Sequence, residues 1–281
     1  MARRPKPGID LRPGPFFRAA ASRLDLTSRR GFPVTVAWVF AGVSFLGFLS
    51  IAEDVIEPAS LALDRLVAST VALLSGPLLT RLMWIATLLG DTRVMIVETA
   101  VAAVLLAVWG HPRRAGSVVL LVATGTALSE LLKGLVDRPR PGASLALLAQ
   151  PASSSFPSGH ALAGILLFGA LALMLVASRL PRPLRVWGAV ATAFVGLTIG
   201  VSRVYLGVHF ASDVLGSWML GMTMLSTWAA AVLLWGRTQP PLEERVVHPW
   251  GRLWWRWALV ALGLATVTFM LVVESGLNPL R

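Results

Sequence analysis

The chain has no cysteine. That excludes disulfides, thiolate metal sites and a cysteine nucleophile. Charge is scarce as well: 14% of the residues are Asp, Glu, Lys or Arg, where an ordinary soluble domain carries about 25%. Hydrophobic residues make up 56% of the 281 and the mean hydropathy is +0.72. A chain this long could form two soluble domains, but this composition excludes them and leaves an all-α polytopic membrane helix bundle. Lysine occurs only as Lys6 and Lys133, tyrosine only as Tyr205, and histidine only as His111, His160, His209 and His248. There is no internal repeat and no low-complexity tract. Groups able to carry acid–base chemistry are therefore few, and where they fall is informative.

What the chain has in abundance is apolar runs of membrane-spanning length. Six core spans are predicted over 33–52, 92–109, 117–136, 159–177, 186–201 and 214–235, with a C-terminal seventh over 254–273. The domain organisation follows: a basic N-terminal tail over 1–32, a membrane domain over 33–236, and a polar linker with the extra span over 237–281. The tail leads into a long apolar run without a small-residue cleavage site, so it reads as retained, solvated chain rather than a cleaved signal peptide. Residues 53–91 are too charged for an easy span and too apolar for a loop; amphipathic helices at the membrane surface fit best. With the tail placed in the cytoplasm, inside segments hold 17 Lys and Arg and outside segments 8, which favours that orientation. The same distribution accounts for the net charge of +11 without nucleic acid as a partner.

Five of the outside cations, Arg93, Lys133, Arg138, Arg140 and Arg203, sit against span ends, where topology does not require them. Three segments reach that face: Lys133 to Pro141, Pro157-Ser158-Gly159-His160, and Ser202 to Asp213. Pro-Ser-Gly ahead of an apolar segment marks a helix N-terminus, whose first N–H groups lack internal partners and favour an anion. Gly159 lets a ligand approach that backbone closely. By itself the four-residue signal arises by chance, with a capping histidine as its bland reading. Its neighbours alter the weighing. Lys133, Arg140 and Arg203 supply fixed positive charge, the arginines with forked donors for phosphate oxygens. Ser158 and the Gly159 backbone add donors.

His209 and Asp213 stand four residues apart, one helical turn, so Asp213 accepts from one ring nitrogen and leaves the other free as a nucleophile. His160 then serves as general acid to the departing oxygen. These groups suffice for phosphoryl transfer through a phosphohistidine. Two histidines and an aspartate also suggest metal, but three cations at one spot repel a divalent ion, so no metal and no cofactor are expected.

The pattern Lys-x6-Arg-Pro, Pro-Ser-Gly-His, Ser-Arg-x5-His-x3-Asp resembles the type-2 phosphatidic acid phosphatase (lipid phosphate phosphatase) family, the membrane branch of a superfamily that includes the vanadium haloperoxidases. It matches at Lys133, Arg140, Pro141, Pro157, Ser158, Gly159, His160, Ser202, Arg203, His209 and Asp213, and the resemblance covers roughly 91–235. It implies a metal-independent phosphatase with His209 as nucleophile and His160 as acid. The expected enzyme is a membrane phosphatase with its site on the periplasmic or extracellular face of the cell (inner) membrane. The bilayer is its setting and a lipid phosphate or diphosphate its substrate, entering sideways. Undecaprenyl diphosphate comes first, then phosphatidylglycerophosphate or phosphatidate. A lipid phosphotransferase using the same phosphohistidine is the alternative, and an anion transporter the distant one. The sequence does not speak to oligomeric state.

Nearby residues take plainer readings. Asp137 and Arg138 form a solvated pair, Glu130 neutralises Lys133 one turn away, and Tyr205 anchors at the interface. Lys133→Ala is accordingly expected to harm turnover more than Arg138→Ala. His111 and His248 receive no role.

Overall fold

The structure is a computed structural model that describes residues 31–56, 62–142, 146–148 and 150–235. Among the described residues the regular elements are all α-helices: α1 (Gly31–Ile56), α2 (Ala62–Leu74), α3 (Pro77–Leu89), α4 (Thr92–Val108), α5 (Pro112–Val136), α6 (Gly159–Val176), α7 (Arg182–Tyr205) and α8 (Ala211–Trp235). Five of them, α1, α5, α6, α7 and α8, are long and apolar enough to cross a membrane. The expected second span is α4, which has 17 residues, the lower end of the roughly 17–25 that a span needs. The tail and the expected span over 254–273 lie outside the described residues.

Residues 112–116 and 182–185, outside the expected spans, are instead first helical turns. Proline stands at the start of α5 and within the first two positions of α7, where its fixed φ suits the helix and its missing N–H costs nothing. At the far end of α5, Asp137 adopts φ +45° and its N–H caps the Lys133 carbonyl.

α1 packs on α8, and α6 lies along α7. The second pair approaches closely because Gly164 and Gly196 face each other; a Cβ on Gly196 would sit 3.0 Å from the Gly164 carbonyl oxygen. Such small-residue contacts are how helices associate where lipid removes the hydrophobic drive. Leu162, Leu166, Leu167 and Ile199 are fully buried. Val39, Val43, Leu46, Trp187 and Phe194 point outward, as a lipid-facing surface requires.

The amphipathic stretch 53–91 holds the end of α1 and the helices α2 and α3, each of 13 residues. At about 20 Å they are too short to span. They pack on the rest of the bundle through polar groups the sequence did not single out. Asp64 of α2 is buried. Tyr205, expected as an interface anchor, is also buried: its hydroxyl bonds Thr80 Oγ1 at 2.8 Å and accepts from the Gly76 N–H at 3.3 Å. The phenol closes the α2–α3 corner onto the end of α7.

Candidate active site

The ends of α5 and α7 meet the beginnings of α6 and α8. Phe156 fixes the first junction. It is fully buried, stacks on Phe48 of α1 at 6.0 Å between ring centroids, and fills space that a side chain at Gly216 of α8 would need. Ser158 then takes an extended N-cap conformation, yet its hydroxyl makes no capping bond and is buried without a protein partner. A buried hydroxyl without a partner is costly. A Cβ on Gly159 would lie 3.6 Å from Lys133 Nζ and 3.5 Å from Ser129 Oγ. Those are ordinary contact distances, so packing does not demand glycine. The missing Cβ keeps open the space between the helix start and the Lys133 ammonium. Lys133 itself holds Glu130 Oε1 at 2.6 Å.

The second junction reverses the chain after α7. Gly207 has φ +69°, a conformation costly for other residues, and the Val208 and His209 N–H groups cap the Arg203 carbonyl at 3.2 and 3.3 Å. His209 thereby returns over Arg203, just ahead of α8. Asp213 reaches back to accept from the Phe210 N–H at 2.8 Å. This is the reciprocal half of a capping box, with Phe210 as N-cap and Asp213 at N3. The expected helical turn therefore does not join His209 to Asp213, because His209 is not helical. The cap places Asp213 Oδ2 3.4 Å from His209 Nδ1, with Ser155 Oγ also donating to Oδ2.

On the other side of the ring, Arg140 Nη1 lies 3.3 Å from Nε2. A guanidinium only donates, so Nε2 is the lone-pair nitrogen and Nδ1 carries the proton toward Asp213. Arg140 is held there by the carbonyls of Ser153 and Val208, both at 2.8 Å. Burial pushes the His209 ring down to about 4; Asp213 opposes this through its hydrogen bond and charge, while Arg203 and Arg140 reinforce it. The ring is neutral at pH 7. Burial also lowers Arg140, with the Asp213 charge opposing. Arg203 donates to Thr87 Oγ1 at 2.6 Å, and its Nε is buried without a partner.

Lys133, Arg140, Gly159, His160, Arg203 and His209 line one end of a cavity of about 740 Å³. From there it runs between α4 and α5 past Met95, Ile96, Val122 and Val119. Lys133 and Val119 are about 21 Å apart along α5, so a charged end continues into an apolar channel. Two expected site residues, Ser158 and Asp213, are buried behind this wall. Among the described residues no three His, Cys, Asp or Glu side chains converge as metal ligands.

Another expectation fails. Arg138 is not a solvated partner of Asp137. Asp137 is exposed, and its left-handed turn directs Arg138 inward, where it is 6% accessible. There it pairs with Asp213 Oδ1 and, at 2.9 Å, with Asp64 Oδ2. Asp64, Ser155 and Thr87 were also missed. Ser155 belongs to a visible serine run beside the motif; Asp64 and Thr87 carry no local signal.

Fold and cluster together define a polytopic membrane protein whose cavity ends in a cationic cluster beside a histidine–aspartate pair. Residues 114–238 match the model of the PAP2 superfamily. The helical bundle has the fold of a solved transmembrane PAP2 type structure. Phosphatidylglycerophosphatase B of Bacillus subtilis (strain 168) is 29% identical over 182 residues, 64% of this chain and 88% of that protein. An undecaprenyl-diphosphatase of Sulfolobus acidocaldarius is 30% identical over 122 residues, 42% of this chain and 55% of that protein. The crystal structure of a transmembrane PAP2 type phosphatidylglycerolphosphate phosphatase from Bacillus subtilis superposes with a TM-score of 0.61 at 25% identity, covering 72% of this chain and 98% of that one.

Proposed function

We propose that the chain is an integral membrane lipid phosphatase that works through a phosphohistidine at His209, without metal. The observation that carries this is the His209 ring, with Asp213 at its Nδ1 and its Nε2 beside Arg140, facing a cavity end lined with Lys133, Arg140 and Arg203. The three cations and the Gly159 N–H hold the phosphate oxygens. Nε2 attacks phosphorus, the bond to the leaving oxygen breaks, and His160 gives that oxygen its proton. Asp213 stabilises the ring as it becomes cationic. Water then attacks the phosphohistidine, the P–N bond breaks, and His160 takes back a proton.

The lipid is a phosphate or diphosphate whose tail occupies the apolar channel. Undecaprenyl diphosphate, expected first from the sequence, and phosphatidylglycerophosphate are the leading pair, since relatives bearing both names align. Phosphate release by the purified protein from each of these lipids and from phosphatidate tests the reading. No release from any of the three refutes it and favours the transporter. Release that requires a second lipid, with phosphate appearing on that lipid, favours the phosphotransferase.

The site faces outward, with the N-terminus in the cytoplasm, in keeping with the 17 to 8 division of Lys and Arg. The chain has no cysteine, so single cysteines placed at His111 and Gln150 report sidedness without background. An impermeant thiol reagent applied to intact cells should label the second and not the first.

A further inference from the structure

The buried ion cluster behind the His209–Asp213 pair does not line the cavity. We propose that Asp64 and Arg138 are positioning residues: a carboxylate–guanidinium–carboxylate bridge that orients Asp213 and sets the charge behind the nucleophile. This rests on the phosphohistidine reading above.

Arg138 Nη1 donates to Asp213 Oδ1 and, at 2.8 Å, to Ser212 Oγ, while Nη2 donates to Asp64 Oδ2 at 2.9 Å. Asp64 in turn accepts from the Ser212 N–H at 2.9 Å and the Ser212 hydroxyl at 2.7 Å. The Arg138 guanidinium carbon lies 4.3 Å over the Phe210 ring. The side chains of Arg138, Asp64 and Asp213 are 5%, 4% and 0% accessible. With Oδ1 held by Arg138, the Asp213 carboxylate must present Oδ2 to Ser155, the Phe210 N–H and His209. Orientation is thus imposed from both sides.

Charge is the second consequence. Alone, Arg138 would cancel Asp213 and leave the ring no net negative partner as it turns cationic. Asp64 restores one negative charge to the group. The other charges around His209 are positive: Arg140 in the loop, Arg203 on α7 and, across the cavity, Lys133 on α5, where the titratable His160 of α6 also faces it. Asp91 acts on Arg203, and Glu130 is occupied by Lys133. The bridge also ties α2 to the start of α8, so the bland account is a structural staple that leaves chemistry untouched. The two accounts differ in what they do to turnover per folded molecule.

The test uses the full chain in detergent with phosphatidate and an aryl phosphate, and kcat is normalised to folded, monodisperse protein. Asp64→Asn should lower kcat by about tenfold or more with KM within about threefold. It should also move the acid limb of the kcat pH profile downward, because the ring loses a negative neighbour. Asp64→Glu should recover most of kcat. A normal kcat and an unmoved acid limb alongside a lower melting temperature overturn the proposal and leave the staple. Should Asp64→Asn not fold, Arg138→Lys carries the test: one ammonium cannot hold two carboxylates in the guanidinium's fork. It should lose kcat at constant KM, and kcat within about twofold of the native chain overturns the proposal. His209→Ala runs alongside. Turnover by that variant defeats the nucleophile assignment; an inactive His209→Ala beside a normal Asp64→Asn defeats only the bridge.

Discussion

Lys133 and Arg138 are five residues apart and both cationic, yet the structure predicts opposite consequences for their loss. Arg138 bonds two buried carboxylates, and all three side chains are at most 5% accessible. Arg138→Ala leaves Asp64 and Asp213 buried and mutually repulsive. Breaking a buried pair by removing one partner costs about 3–5 kcal/mol, a large share of the roughly 5–15 kcal/mol that holds a protein folded. Lys133 stands at the other extreme. Its side chain is 14% accessible, its partner Glu130 is 62% accessible, and such a pair contributes about 0–1 kcal/mol. Lys133→Ala should therefore leave the melting transition within about 1 kcal/mol of the native chain. Its cost falls on substrate: a charge-assisted phosphate contact is worth about 1.5–3 kcal/mol, or roughly 10- to 100-fold in kcat/KM. Thermal melts in one detergent, with kcat/KM on folded protein, separate the two effects. This reverses the ranking expected from the motif alone, since Arg138→Ala should be the more damaging overall. An Arg138→Ala protein that melts with the native chain would show that the ion cluster is not buried as described.

Removing the two histidines should give different substrate profiles. His160→Ala should keep more activity on a diphosphate or nitrophenyl phosphate than on an alkyl phosphate, because good leaving groups need less protonation; His209→Ala should be inactive on all three. The reverse pattern in a rate comparison would exchange the two roles. Activity should survive EDTA, and vanadate should inhibit by resembling the five-coordinate transition state. Loss in EDTA that zinc or magnesium restores, or indifference to vanadate on the order of millimolar, contradicts the mechanism. The neutral His209 also makes stability depend on pH. Unfolded, the ring takes a proton near 6.5; folded, it resists until about 4. Its contribution is thus complete above 6.5 and is lost as pH falls toward 4, up to about 3 kcal/mol in all. The difference in melting temperature between the native chain and His209→Gln should shrink over that window, and a flat difference refutes the buried neutral ring.

The membrane class was legible because burial in lipid is a property of composition and run length. The apolar segments that become α1, α5, α6, α7 and α8 announce themselves without any knowledge of their neighbours. Helix limits were less legible. A proline beside arginines reads as a loop, yet at a helix start it costs no hydrogen bond, so α5 and α7 begin earlier than expected. The cluster residues were legible because each lies in a short motif with fixed spacing, and alternating spans carry those motifs to one end of the bundle.

What the sequence alone determined is therefore the class of fold and which residues meet at one end of the bundle. Only the tertiary structure decided how they engage. It moved Arg138 from solvent into the interior through one left-handed residue at Asp137. It made Asp213 a capping group before a ring partner, and it brought Asp64, 74 residues from Arg138, into the cluster behind the His209–Asp213 pair. Local spacing encodes which side chains share a turn or a helix face. Burial of a charge depends on what other chain segments bring to meet it, and no window of sequence contains that information.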